Sequence, residues 1–338
     1  MTAARPRETA GTPPPTAVRP VLTGIGSWLP PDVLTNHDLE RRLGTDDAWI
    51  HSRTGIRRRH LAAPGTTTSD LAVEAGRRAL KSAEEPTADA VVLATTTPDR
   101  SCPATAPQVA ARLGLSGVPA FDVAAVCSGF LYGLATAGGL LATGSACRVL
   151  LIAAETFSTL IDPADRSTAV IFADGAGAVV LRAGTDGEPG AFGPVVLGSD
   201  GDLAGLIEVP AGERYLRMQG RATFRQAVER MATTSRTAVA AAGWRLTDID
   251  RLAAHQANTR ILHALADELG LPPGHRLSNI EHVGNTAAAS IPLLLDHTSA
   301  DGRLRPGHRL VLTAFGAGLT WGATTLRWPD LPVPRDTP

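Results

Sequence analysis

At 338 residues, with 43% hydrophobic and 19% charged side chains, the chain has the composition of a folded globular protein and exceeds what one hydrophobic core usually serves, which points to two cores or one shared by similar halves. A formal net charge of -1 excludes a global field that would recruit nucleic acid or an anionic membrane, so an acidic partner must be met by a local patch. Three cysteines, Cys102, Cys127 and Cys147, are odd in number and sparse, which sets aside a secreted disulfide framework and fits a reducing cytoplasm.

Residues 1–19 carry Arg5, Arg7 and the run Pro13-Pro14-Pro15 without a continuous apolar segment, and are expected to form a disordered tail with no signal core or membrane span. Leu71–Leu80 reads as an alanine-rich helix, Asp89 introduces a strand Ala90–Ala94, and polar Thr95–Thr97 follow. Around Cys127 the run from Asp122 to Leu134 changes from a small apolar strand to an alanine- and glycine-rich helix. Arg148-Val-Leu-Leu-Ile-Ala-Ala then leads to Asp174-Gly-Ala-Gly-Ala-Val-Val-Leu, read as strand, glycine-rich turn, strand. The glycine- and proline-containing stretch Gly184–Pro194 places a boundary near residue 187.

The second half repeats the layout. Helical Thr237–Ala242 precedes Asp248 and Asp250, a strand Leu252–Ala254 and then His255-Gln256-Ala257-Asn258, while Gly284-Asn-Thr-Ala-Ala-Ala-Ser opens another helix. Arg309-Leu-Val-Leu-Thr-Ala-Phe leads to Gly316-Ala-Gly-Leu-Thr-Trp-Gly-Ala, again strand, turn, strand, and 329–338 reads as a second tail. The repetition predicts duplicated α/β halves, 20–187 and 188–328, packed about a pseudo-twofold with functional groups meeting between them.

Cys127 falls where a helix begins, and unpaired N–H groups with the positive dipole end favour the nucleophilic thiolate. Taken singly, it could equally be a buried structural thiol, His255 a satisfied histidine and Asn285 an N-cap. Together, at strand ends and helix starts, the three suffice for acyl transfer followed by carbanion stabilisation. Neither glycine-rich segment gives G-x-G-x-x-G between strand and helix, so both read as tight strand connections. The nine histidines are scattered and none joins a cysteine at zinc spacing, so no metal site is expected and Cys147 reads as structural.

Val126-Cys-Ser-Gly-Phe, His255-Gln-Ala-Asn and Gly284-Asn-Thr-Ala-Ala-Ala-Ser resemble, in order and spacing, the three active-site motifs of β-ketoacyl-acyl carrier protein synthase III. The resemblance runs from about residue 20 to 328 and includes Thr54-Gly-Ile-Arg, Asp165-Arg-Ser-Thr, Phe172-Ala-Asp-Gly-Ala-Gly-Ala and Phe315-Gly-Ala-Gly-Leu-Thr-Trp-Gly. It implies a thiolase-like fold with a five-layered α-β-α-β-α core, a homodimer, and a cytoplasmic enzyme that initiates fatty-acid or polyketide biosynthesis. No cofactor is implied, the CoA thioester being substrate.

By that resemblance Cys127 is acylated by an acyl-CoA primer, its backbone N–H and one from the Gly316-Ala317-Gly318 loop holding the oxyanion. His255 and Asn285 then stabilise the enolate of a malonyl group on acyl carrier protein as CO₂ leaves, and Phe315 crowds the departing carboxylate. Trp49, Arg53 and Arg166 match positions that stack the CoA adenine and neutralise its phosphates, and Gly220, Phe224 and Asn258 match the pantetheine channel. Arg225 and Arg260 match the docking site for the acidic carrier protein.

Two departures stand out. Cys102 occupies a position where a phenylalanine often closes the acyl pocket from across the dimer interface, which predicts tolerance of longer or branched primers. Asp267 and Glu268 fall in a stretch often rich in lysine, which weakens the usual carrier contact, although Arg221, Arg225 and Arg230 extend a basic face along one helix. Two rivals are transfer of the acyl group to an alcohol or amine and a silent subunit of the same fold; Asn285 argues against the first, and the intact trio against the second.

Overall fold

The computed structural model describes residues 18–331; of the tails expected at 1–19 and 329–338, residues 1–17 and 332–338 lie outside the described residues, and Arg19 already belongs to the first strand. In the first half, β1 (Arg19–Trp28), β2 (Asp32–Thr35), α1 (Asn36–Leu43), α2 (Asp47–Thr54), β3 (Arg58–Leu61) and α3 (Thr68–Ser82) lead to β4 (Ala90–Ala94) and α4 (Ala106–Arg112). β5 (Ala120–Val123), α5 (Gly129–Ala142), β6 (Arg148–Glu155) and β7 (Gly175–Gly184) complete it. In the second, β8 (Val196–Ser199), β9 (Ile207–Glu208) and β10 (Arg217–Met218) precede α6 (Gly220–Ala241), β11 (Arg251–Ala254) and α7 (Thr259–Leu269). α8 (Ile280–Val283), α9 (Ser290–Ala300), β12 (Arg309–Gly316) and β13 (Thr320–Arg327) follow.

The first half forms a five-stranded sheet in the order β1-β7-β6-β4-β5, and the second a four-stranded sheet in the order β11-β12-β13-β8. β4 runs parallel to β6 and β6 antiparallel to β7, as β11 runs parallel to β12 and β12 antiparallel to β13. The outer pairs β1–β7 and β8–β13 are likewise antiparallel, so strand order and direction repeat, and only β5 has no counterpart among the described residues. This is the duplicated α/β architecture that the sequence predicts.

Strand alternation assigns the layers, since successive residues face opposite sides of a sheet. Val91, Leu93, Leu150 and Ile152 face α3 and α4, whereas Val92, Leu151 and Ala153 face α5 and α9. On β12, Leu310 and Leu312 join the same central layer, while Val311 and Phe315 face α6 and α7. The order is therefore α3/α4, sheet, α5/α9, sheet, α6/α7: the five-layered core. Small residues let the layers approach closely. A Cβ at Gly26 would lie 2.4 Å from the Ala79 nitrogen on α3, whose start is fixed by a capping box between Thr67 and Asp70.

Several boundaries differ from the sequence reading. Gly175 and Gly177 lie inside β7, not in a turn: Cβ atoms there would meet Leu293 and Pro292 of α9, so the glycines mark tight helix–sheet packing. Thr237–Ala241 is the end of the 22-residue α6. Pro329 is buried and Leu331 still packs on the central layer, so the fold continues past 328. The segment around residue 187 connects β7 to β8 and is tied to both sheets by bridges from Ala191 to Val21 and from Phe192 to Leu326.

Candidate active site

Both halves deliver their reactive residues to one cavity of about 250 Å³, lined among others by Cys127, His255, Asn285 and Phe315. Cys127 follows β5 in a tight 3-10 turn, Val126–Ser128, which runs into α5. His255 directly follows β11, its backbone N–H donating 2.8 Å to the Thr313 carbonyl of β12. Asn285 is held in register with the segment before β7: its N–H donates to the Ile171 carbonyl at 3.0 Å and its carbonyl accepts from Ala173 at 2.8 Å.

The turn between β12 and β13 closes over the thiol. A Cβ at Gly316 would stand 2.8 Å from the Cys127 nitrogen and 3.0 Å from its Cβ, so only glycine permits that approach. Gly316 and Ala317 line the cavity; Gly318, grouped with them in the sequence reading, does not.

The electrostatics correct one expectation. Cys127 precedes α5 in a 3-10 turn instead of opening the helix, and burial pushes its thiol up to about 12, with the Glu155 carboxylate adding to the rise. At neutral pH Cys127 is a thiol. Glu155, fully buried at the end of β6, is itself pushed up to about 7 by desolvation, against hydrogen bonds from the Thr96 N–H and the Thr97 hydroxyl. Burial takes His255 down to about 3, so its ring is neutral, and its Nδ1 lies 2.7 Å from the Ser290 hydroxyl. The Asn285 side-chain oxygen accepts from the Ala287 N–H at 2.9 Å, which leaves the amide NH₂ as the group free to donate into the cavity.

Two guanidinium groups lie against the Trp49 ring, Arg53 at 4.3 Å and Arg166 at 4.8 Å from its centre. Gly220, Phe224 and Asn258 line the same cavity, and with Arg53, Arg221, Arg225 and Arg260 they also frame an outer opening. Asn258 additionally caps α7, its side-chain oxygen accepting from Ile261 at 2.9 Å. Glu268 pairs with Arg236 at 2.9 Å. Cys102 is exposed and does not line the cavity of its own chain.

Sequence reasoning missed three participants. Ser290 closes the quoted Gly284 motif but had no role there; Glu155 could have been flagged as an acid ending an apolar strand; and Phe157, stacked on Phe172 at 4.7 Å in the cavity wall, gave no local signal. Among the described residues no cluster of histidine, cysteine and carboxylates could hold a metal.

Comparison with known proteins agrees with this geometry. Residues 121–201 match 3-oxoacyl-[acyl-carrier-protein] synthase III, and residues 239–328 match the C-terminal part of the same enzyme. The chain is 60% identical over 325 residues to β-ketoacyl-[acyl-carrier-protein] synthase III 3 of Streptomyces coelicolor, covering 91% of this chain and 97% of that protein. The crystal structure of 3-oxoacyl-(acyl carrier protein) synthase III from Pseudomonas aeruginosa superposes with a TM-score of 0.91 at 53% identity, over 93% of this chain and 99% of that one. The priming β-ketosynthase of the R1128 polyketide pathway superposes with a TM-score of 0.88 at 35% identity, over 95% of this chain and 100% of that one. The chain therefore belongs to the β-ketoacyl-[acyl-carrier-protein] synthase III family, thiolase-fold condensing enzymes of the acyltransferase class.

Proposed function

We propose that Cys127 takes the acyl group of an acyl-CoA primer and passes it to the carbanion of a malonyl group carried on acyl carrier protein. In loading, the Cys127 sulfur bonds the acyl carbon, the bond to CoA breaks, and the thiol proton leaves on the CoA sulfur. The Cys127 backbone N–H, which Gly316 closely approaches, and one N–H from the Gly316-Ala317-Gly318 turn, that of the cavity-lining Ala317 by preference, would be the oxyanion donors. In condensation, CO₂ departs from the malonyl group beside Phe315, His255 and Asn285 hold the enolate oxygen, and the enolate carbon attacks the Cys127 acyl carbonyl. The carbon–carbon bond forms, the acyl–sulfur bond breaks, and the Cys127 thiolate released takes a proton from water.

One observation carries this reading. The Asn285 side-chain oxygen is already committed to the Ala287 N–H, so the amide NH₂ offers the cavity a donor beside a neutral His255, and two donors without an added base suit a developing enolate. Transfer to an alcohol or amine would need a base to take the acceptor's proton.

At the outer end, Trp49 with Arg53 and Arg166 would receive the CoA nucleotide, Gly220, Phe224 and Asn258 the pantetheine arm, and Arg225 and Arg260 the acidic carrier. Two copies would pair through β5, the half-buried edge strand of the larger sheet, which is how Cys102 would reach the partner's acyl pocket. The three free cysteines fit a cytoplasmic setting, and no helix among the described residues is long and apolar enough to cross a membrane.

The test is intact-mass measurement after incubation with a panel of acyl-CoAs, followed by malonyl-carrier. The wild type should gain the acyl mass, lose it on malonyl-carrier addition and yield a 3-oxoacyl-carrier; a gain that survives Cys127→Ala overturns the reading.

A further inference from the structure

The neutral His255 ring carries one proton, and which nitrogen holds it decides whether the ring can donate into the cavity or only accept. Nδ1 faces the Ser290 hydroxyl at 2.7 Å in a buried setting: His255 and Ser290 are each 2% exposed. A serine hydroxyl has one hydrogen and two lone pairs. The Gln256 N–H is directed at the Ser290 oxygen at 3.4 Å and takes one lone pair, and among the described residues Nδ1 is the one acceptor within hydrogen-bond reach of the hydroxyl hydrogen, which therefore points at Nδ1.

Both partners are fixed. Ser290 is the first residue of α9, immediately after the 3-10 turn Ala287–Ala289 that anchors Asn285. Gln256 is pinned by its own side chain, which donates to the Ala254 carbonyl at 2.8 Å and accepts from the Ser278 hydroxyl at 3.0 Å. The hydroxyl thus cannot swing away without breaking a buried contact.

We propose that Ser290 is a positioning residue that holds His255 as the Nε2–H tautomer, making His255 a hydrogen-bond donor for condensation and unable to serve as the base that takes the Cys127 proton during loading. The low basicity of the buried ring accords with this, because an imidazole that stays neutral must donate through its single N–H. The inference rests on the condensing role assigned to His255, and extends it: Ser290 links the ring's proton to the same turn that orients Asn285, so both enolate donors are set by one short segment, 285–290.

The experiment uses the full-length enzyme with ¹⁵N-histidine and long-range ¹H–¹⁵N spectra to read the His255 tautomer, alongside separate rates for acyl loading by intact mass and for malonyl-carrier decarboxylation. Wild type should show the Nε2–H form. Ser290→Ala should lose that single tautomer, slow decarboxylation about 10- to 100-fold and leave loading within about twofold, the scale on which groups orienting a reactive ligand act. Ser290→Thr, which retains the hydroxyl, should restore both spectrum and rate. An Nδ1–H ring in the wild type, or equal slowing of loading and decarboxylation in Ser290→Ala, overturns the proposal. Failure of the condensing reading itself would appear differently, as a wild type that loads but does not decarboxylate malonyl-carrier.

Discussion

Val126 and Ala287 occupy the same position in the two halves and share one unusual backbone conformation, with φ of +45° and +46°. Each begins a 3-10 turn, Val126–Ser128 and Ala287–Ala289, and each turn runs into a central-layer helix. The turns also touch, a Cβ at Gly129 standing 3.1 Å from that of Ala288. One half uses its turn to present Cys127, and the other uses the equivalent turn to hold Asn285 and Ser290. The left-handed region costs a residue with a Cβ about 1–2 kcal/mol. Ala287→Gly should therefore keep or raise stability by up to about 1 kcal/mol, the relief partly offset by glycine's extra unfolded-state entropy. Val126→Gly, which also removes packing beside the cavity, should lower it. Urea unfolding measures both, and a loss above about 1 kcal/mol in Ala287→Gly contradicts the strain assignment.

Glu155 adds its charge to the burial that suppresses ionisation of Cys127. Its carboxyl titrates near 7 in the fold, so above that pH its charge opposes formation of the thiolate, and below it the opposition fades. Alkylation of Cys127 by iodoacetamide should rise about tenfold per pH unit between 7 and 10 without a plateau, since only thiolate reacts. Glu155→Gln should accelerate it severalfold at pH 9 and little at pH 6; no difference at pH 9 would show that the two groups are uncoupled. The same raised value means that the unfolded chain ionises Glu155 before the folded one, so stability is lost as pH rises from about 4.5 to 7. Glu155→Gln should remove that slope.

His255 acts in the opposite sense. Folded, it protonates only near 3, whereas the unfolded ring takes a proton below about 6.5, so stability is present above 6.5 and is lost as pH falls through that window. Between pH 7.5 and 5 the wild type should lose about 2 kcal/mol relative to His255→Gln, the linkage for a ring kept neutral over about 1.5 pH units. Denaturant unfolding at the two pH values gives the difference directly, and parallel behaviour of the two proteins would show that the ring protonates in the fold.

The fold and the three residues that converge on the cavity were legible because they are written in local patterns: strand Ala90–Ala94, the Cys127 turn, and the segments after β11 and α8 that carry His255 and Asn285. What the sequence could not show is set by contacts distant along the chain. Gly175 and Gly177 look like a turn until α9 packs against them. The thiol's position before a helix predicts a lowered pKa, yet layers from both halves enclose it, and desolvation outweighs the dipole. Ser290 meets His255 from 35 positions away.

Cys102 tests the proposed dimer as well as the primer range. Exposed in its own chain, it shapes an acyl pocket only if a second copy presents it. Cys102→Phe should then narrow loading toward acetyl-CoA and cut turnover of branched and medium-chain primers, and an unchanged primer profile would remove this residue from the pocket.

Arg59 offers the sharpest separation of stability from chemistry. It is fully buried; its Nη atoms donate to the Asn36 side-chain oxygen at 2.9 Å and the Val170 carbonyl at 2.6 Å, while among the described residues Nε has no partner and no carboxylate pairs with it. Desolvation takes its pKa down to about 10, so the guanidinium stays charged at neutral pH. Val170 adjoins Ile171, the residue that accepts from the Asn285 N–H, and Gly284 lies against the Arg59 side chain, where a Cβ would come within 3.0 Å. The fork thus braces the backbone on which Asn285 is held. A lysine cannot reach both acceptors and still buries a charge, so Arg59→Lys should destabilise by about 3 kcal/mol and more than Arg59→Met, which removes the charge altogether. Both variants should slow decarboxylation about tenfold through Asn285 while sparing loading at Cys127. Equal loss of the two half-reactions would place Arg59 in the general fold, whereas the split would place it behind the enolate site.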